Sequence, residues 1–254
     1  MFTSYIFKFR VSPLLDKLIL GFCNSTVFLL TIYLFKEKPT NHANLPIKSF
    51  NKELTLKKLF TRKKFLLPLF VSPLLSGSQI SLATFFVLYL KEEAYFTEIY
   101  VENFLLLIMI IGAISRIAWG LISDRLLNGN RIITLIIILF VGLLGSILNF
   151  FIPQYNSSAI IVITAILFGM SLMGWQGLLL TLAAELGEEK LTGSVTGIFS
   201  TVTWTGSMFM PTLFGHISDN YGYFWSWQIV FLSLLLSLSS FVLLFALQKR
   251  DKLS

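Results

Sequence analysis

The chain of 254 residues is 55% hydrophobic and only 13% charged, with a mean hydropathy of +0.78 and a net charge of +7. A single water-soluble core of this size cannot absorb so much apolar surface, so the surplus must face lipid. A membrane-spanning barrel would alternate apolar and polar residues over about 10 positions. Residues 132–151 and 224–247 instead stay apolar on every face, which points to helices.

A helix needs about 20 apolar residues to cross a hydrocarbon layer of roughly 30 Å. In chain order, such runs predict spans at residues 14–35, 66–90, 103–123, 132–152, 159–183, 194–217 and 224–247. The first is long, and no small-x-small cleavage pattern follows it, so it reads as a retained span and not as a signal peptide. The only long connection, from Lys36 to Lys64, separates one helix from six. Cys23 is the single cysteine, which excludes an intrachain disulfide and a cysteine-based metal site. His42 lies in the long connection and His216 near the end of a span. No catalytic cluster, metal site or cofactor is therefore expected, and the chain does not read as an enzyme.

The basic residues sort by topology. Between Lys36 and Lys64 there are nine Lys and Arg, and the connections that share its side of the membrane, with the C-terminal tail, bring that side to fifteen. The opposite side has four, and Arg116 lies inside a span. Cytoplasmic loops accumulate Lys and Arg. The expectation is an N-terminus outside, the long connection and the C-terminus in the cytoplasm, and a multi-pass location in the plasma membrane. The same asymmetry accounts for the net charge without nucleic acid.

The second and fifth of the six later spans end in nearly the same words, Gly120-Leu-Ile-Ser-Asp124 and Gly215-His-Ile-Ser-Asp219. Each is the middle helix of a group of three and is followed by a glycine-containing turn, through Gly129 and Gly222. Three spans separate the two copies, so they emerge on opposite sides, as an inverted-topology repeat requires.

The stretch Gly120-Leu-Ile-Ser-Asp124-Arg125-Leu-Leu-Asn-Gly129-Asn-Arg131 resembles the signature loop of the major facilitator superfamily of secondary transporters. Its Arg125-to-Gly129 spacing is two residues longer than usual and one closing basic position is missing. A second similar stretch is Glu185-Leu-Gly-Glu-Glu-Lys190-Leu-Thr-Gly193 with Gly197. The resemblance implies an all-α integral membrane protein of about seven transmembrane helices. Residues 1–35 become the last helix of a truncated N-terminal bundle, 36–64 a basic cytoplasmic linker, 65–247 a C-terminal six-helix bundle built as a 3+3 inverted repeat, and 248–254 a cytoplasmic tail. It also implies alternating access of a small-molecule substrate, with a missing N-terminal half or a second copy as partner beside the lipid bilayer. A fragment is favoured over a split transporter or a dimerising half-sized protein. The rival reading is a non-transporting membrane scaffold or a decayed transporter.

Asp124 and Arg125 sit at a helix end, where an acid and a base hold neighbouring helix ends together. Arg116 lies about two turns deeper on the same face and needs a partner, for which Asp124 and Glu185 are the candidates. The resemblance implies that Gly120, Asp124, Arg125, Gly129, Arg131, Arg116 and Glu185 form a cytoplasmic gate latch; a permanent helix-end salt bridge is the alternative. Substrate-lining candidates near span centres are Ser76 and Gln79, Trp175 and Gln176, and Trp204 and Ser207, each of which also suits helix packing. Gly112, Gly120, Gly206 and Gly215 are expected to let helices approach closely. None of the thirteen acidic residues lies near a span centre, so a coupling carboxylate is not expected in this segment.

Overall fold

The computed structural model describes residues 63–94, 98–155 and 157–251. The expected first span at 14–35, almost all of the basic linker and the last tail residues lie outside the described residues. The described part is helical throughout: α1 (Lys63–Glu92), α2 (Glu98–Arg125), α3 (Arg131–Tyr155), α4 (Ser158–Leu172), α5 (Gln176–Leu186), α6 (Glu188–Tyr221) and α7 (Tyr223–Asp251). All of these belong to one compact unit.

Among the described residues, five stretches are long and apolar enough to cross a bilayer: α1, α2, α3, α4 together with α5, and α7. Helix α6 is long enough but too polar by that measure, because Ser200, Thr201, Thr203, Thr205 and Ser207 run through its middle. It nevertheless packs along the whole of α1, from Phe65 against Phe199 through Ser76 beside Ser207 to Phe85 stacked on Phe214. A helix with this many hydroxyls is held by its neighbours, and Thr201 and Thr205 return their hydrogen bonds to their own backbone.

One expected span is corrected. The run 159–183 is not continuous: it breaks at Met173–Trp175, near its middle, into α4 and α5. The Gly174 amide bonds back to the Ser171 carbonyl at 3.0 Å, and the helix restarts with the Leu179 amide on the Trp175 carbonyl at 3.1 Å. A Cβ on Gly174 would overlap the Met170 carbonyl and stand 2.9 Å from Trp119. Glycine fits this tight turn where any other residue would collide.

The packing obeys an internal two-fold. With α4 and α5 counted as one span, α1 packs on α6 and α7, the corresponding α4 packs on α2 and α3, and α3 and α7 pack on each other. Both equivalent crossings use glycine. A Cβ on Gly206 would overlap the Pro73 carbonyl where α1 meets α6, and one on Gly112 would overlap Met173 where α4 meets α2. Gly206 follows Gly112 by nearly the same number of residues as Asp219 follows Asp124, so the repeat seen at the helix ends extends to the crossings. Small residues permit close backbone approach, which is how helices associate in lipid. Gly120 departs from expectation: a Cβ there meets nothing within 4 Å in this bundle. Gly215 faces only the ring of Phe85, at 3.0 Å.

Candidate substrate and gating site

The chemistry concentrates at two levels, one at the helix ends and one half-way along the bundle. At the ends, α2 stops at Arg125 and the chain turns through Asn128 and Gly129, both left-handed at φ 52° and 74°. The Gly129 amide bonds the Ser123 carbonyl at 2.7 Å, and the Asn130 side chain accepts the Ile133 amide at 3.2 Å, starting α3. This longer turn folds Arg131, the first residue of α3, back over the end of α2.

Arg131 is the hub of the cluster. Its Nη1 donates to Ser123 Oγ at 3.0 Å and pairs with Asp124, while its Nε donates to Glu185 Oε1 at 3.2 Å. One guanidinium thus joins the ends of α2, α3 and α5, a task that suits its planar fork. Its side chain is 15% exposed, against 57% and 50% for the two carboxylates, so the charges are well screened. Arg125 is exposed at the same end. Gly129 and Arg131 therefore act together, one shaping the turn and the other closing it.

The expected partners of Arg116 require correction. Asp124 and Glu185 are both taken by Arg131, and Arg116 Nε donates instead to the Met173 carbonyl at 2.9 Å. The reason is directional. Helical side chains lean towards the N-terminus, so Arg116 on α2 points away from Asp124 and along the helix towards the α4–α5 junction. Three residues on, Trp119 Nε1 donates to the Met170 carbonyl at 2.8 Å. Together they satisfy carbonyls released where α4 ends. Gln79 reaches the same junction from α1, its Nε2 lying 3.5 Å from Met173 Sδ.

Beside the junction, Trp175, Gln176 and Trp204 line one small cleft between α5 and α6, with Phe199, Ser200 and Thr203. Trp175 is buried and its indole N–H has no hydrogen-bond partner among the described residues, whereas Trp204 is 58% exposed. Ser76 and Ser207 lie elsewhere, on the α1–α6 crossing, where their hydroxyls bond each other. The candidates thus fall into three groups: the cleft, the Met173 junction with Gln79, and the serine pair. Met173, Trp119, Ser200 and Thr203 are additions that sequence reading missed. A glycine inside the apolar run 159–183 was the available signal for the break that organises them.

No curated protein matches the chain. Residues 9–211 match the sequence model of the Major Facilitator Superfamily, which is most of the chain. Together with the all-helical bundle and its five apolar spans, this match makes the chain a multi-pass integral membrane protein of the transporter class, and it belongs to the major facilitator superfamily.

Proposed function

We propose that the six described spans form one rigid half of a secondary transporter, which moves a small solute by alternating access. The observation that carries this reading is the break between α4 and α5 half-way along a span, with polar and aromatic side chains gathered beside it. Irregular backbone at membrane depth is tolerated where it lines a cavity or is buried in protein, and discontinuous helices form solute sites in inverted-repeat transporters. In this reading Gln79, Trp175, Gln176 and Trp204 line the path. Ser76 and Ser207 hold α1 to α6.

The Arg131 cluster keeps the ends of α2, α3 and α5 moving as one body, while exposed Arg125 and Gly120 meet the opposite bundle at the cytoplasmic gate. That bundle comes from another part of the protein, from a separate chain or from a second copy. The bundle rocks as a unit because its two glycine crossings leave no slack between helices.

Trp204→Cys in a Cys23→Ser background tests the path. In oriented membrane vesicles an impermeant maleimide should label position 204 from either side, with the ratio changing when solute is added. Labelling restricted to one side under every condition would count against alternating access.

A further inference from the structure

We infer that Arg116 is the residue that selects the solute, and that the solute carries a negative charge as a carboxylate or a phosphate ester; the assignment rests on reading the α4–α5 break as the solute path. Depth is the first support. Met173 lies thirteen residues before the end of α5, and Arg116 nine residues before the end of α2. At about 1.5 Å per residue, Arg116 sits about 14 Å and Met173 about 20 Å from those helix ends, well inside a layer roughly 30 Å thick.

Charge is the second support. A cation at that depth is tolerated only when it faces protein interior or a water-filled cavity and finds a counter-charge. Asp124 and Glu185 are held by Arg131 at the bundle end, and among the described residues no Asp or Glu lies near the centre of a span. Capping the end of α4 does not require an arginine: the neutral indole of Trp119 does that work for the Met170 carbonyl. Arg116 spends Nε on Met173, and the two Nη groups keep four N–H donors. Its side chain is exposed in this bundle.

The neighbourhood fits an anion. Helix α5 begins at Gln176, so its free amides and positive dipole end lie beside the junction. The buried Trp175 indole, a donor without a partner among the described residues, stands in the same turn. A guanidinium held at Nε is pre-oriented, so its remaining edge can take two oxygens of a carboxylate or phosphate at once.

The test uses the purified full-length protein in lipid nanodiscs, titrated at constant ionic strength with benzoate and glycerol 3-phosphate and with the uncharged benzamide and glycerol. At least one anion should raise the unfolding temperature saturably while its neutral counterpart does not, and the two anions distinguish carboxylate from phosphate ester. Arg116→Gln retains a donor for the Met173 carbonyl and should raise the half-saturating concentration at least tenfold, with Arg116→Lys between it and the native protein. The assignment is overturned if neither anion gives a saturable shift, or if Arg116→Gln binds as tightly as the native protein. Uptake of the same four compounds into proteoliposomes is read separately. Anion binding without uptake of any of them would tell against the transport reading and leave the assignment standing.

Discussion

At the scale of single residues, two arginines either side of the α2 end do different work because their side chains point in opposite directions. Arg131 begins α3 and bends over the end of α2, where it meets two exposed carboxylates; Arg116 leans inward and meets a backbone carbonyl. Screened pairs of this kind contribute at most about 1 kcal/mol each. Arg131→Gln should therefore cost about 1 kcal/mol, lowering the midpoint of thermal unfolding by about 2–4 °C for a chain of this size. Arg131→Lys should recover only part of the loss, since an ammonium lacks the fork that joins Asp124 to Glu185. Arg125→Gln, at an exposed position, should leave the midpoint unchanged. Differential scanning fluorimetry on the three variants checks the ranking, and an unfolding midpoint for Arg125→Gln as low as that for Arg131→Gln would contradict it. The sequence placed Arg116 inside a span and Arg131 in the turn, but it named Asp124 and Glu185 as partners of the wrong arginine. Arg131 meets Glu185 across 54 positions, and no local periodicity encodes that approach.

At the scale of elements, the bundle depends on two glycine crossings, and at one of them backbone meets backbone. Gly206 sits directly against the Pro73 carbonyl, so an added methyl group must push α6 away from α1. Overpacking of this kind costs about 1–3 kcal/mol, and here the obstacle is backbone with no rotamer to give way. Gly197 lies on the same helix with nothing within 4 Å of its missing side chain, so alanine there should be neutral or stabilise by up to about 1 kcal/mol through helix propensity. The two substitutions are chemically identical, so the difference isolates the crossing. Detergent unfolding of Gly206→Ala and Gly197→Ala is the check, and equal stabilities would mean that the α1–α6 contact is looser than described. The later spans themselves were legible because hydropathy over about 20 residues is a strong signal. The α4–α5 break was not, since Met173 and Trp175 are apolar and a window average passes over one glycine. The run 194–217 was legible as a span, although the hydroxyls of α6 lower its hydropathy below that of the other spans.

At the scale of the whole molecule, the two-fold and the charge asymmetry constrain each other. An inverted repeat makes the two triplets geometrically equivalent, so geometry alone does not say which end faces the cytoplasm. Sequence breaks the tie: Arg125, Arg131, Lys249 and Arg250 cluster at the end where Arg131 closes the α2–α3 turn, whereas the end carrying Asn220 and Gly222 has no Lys or Arg in its α6–α7 connection. Lys and Arg near span ends are retained on the cytoplasmic side, so the Arg131 end should be cytoplasmic. Single cysteines at Lys249 and Asn220, again in a Cys23→Ser background, test this in intact cells. An impermeant maleimide should label Asn220→Cys directly and Lys249→Cys only after the membrane is opened. The reverse pattern would invert the bundle and place the Arg131 cluster at the outer gate. The Arg116–Met173 contact would stay within the membrane in either orientation, because Met173 lies close to the middle of the broken span and Arg116 nine residues inside the end of α2. The gate assignment therefore depends on orientation and the solute site does not, so the two fail independently.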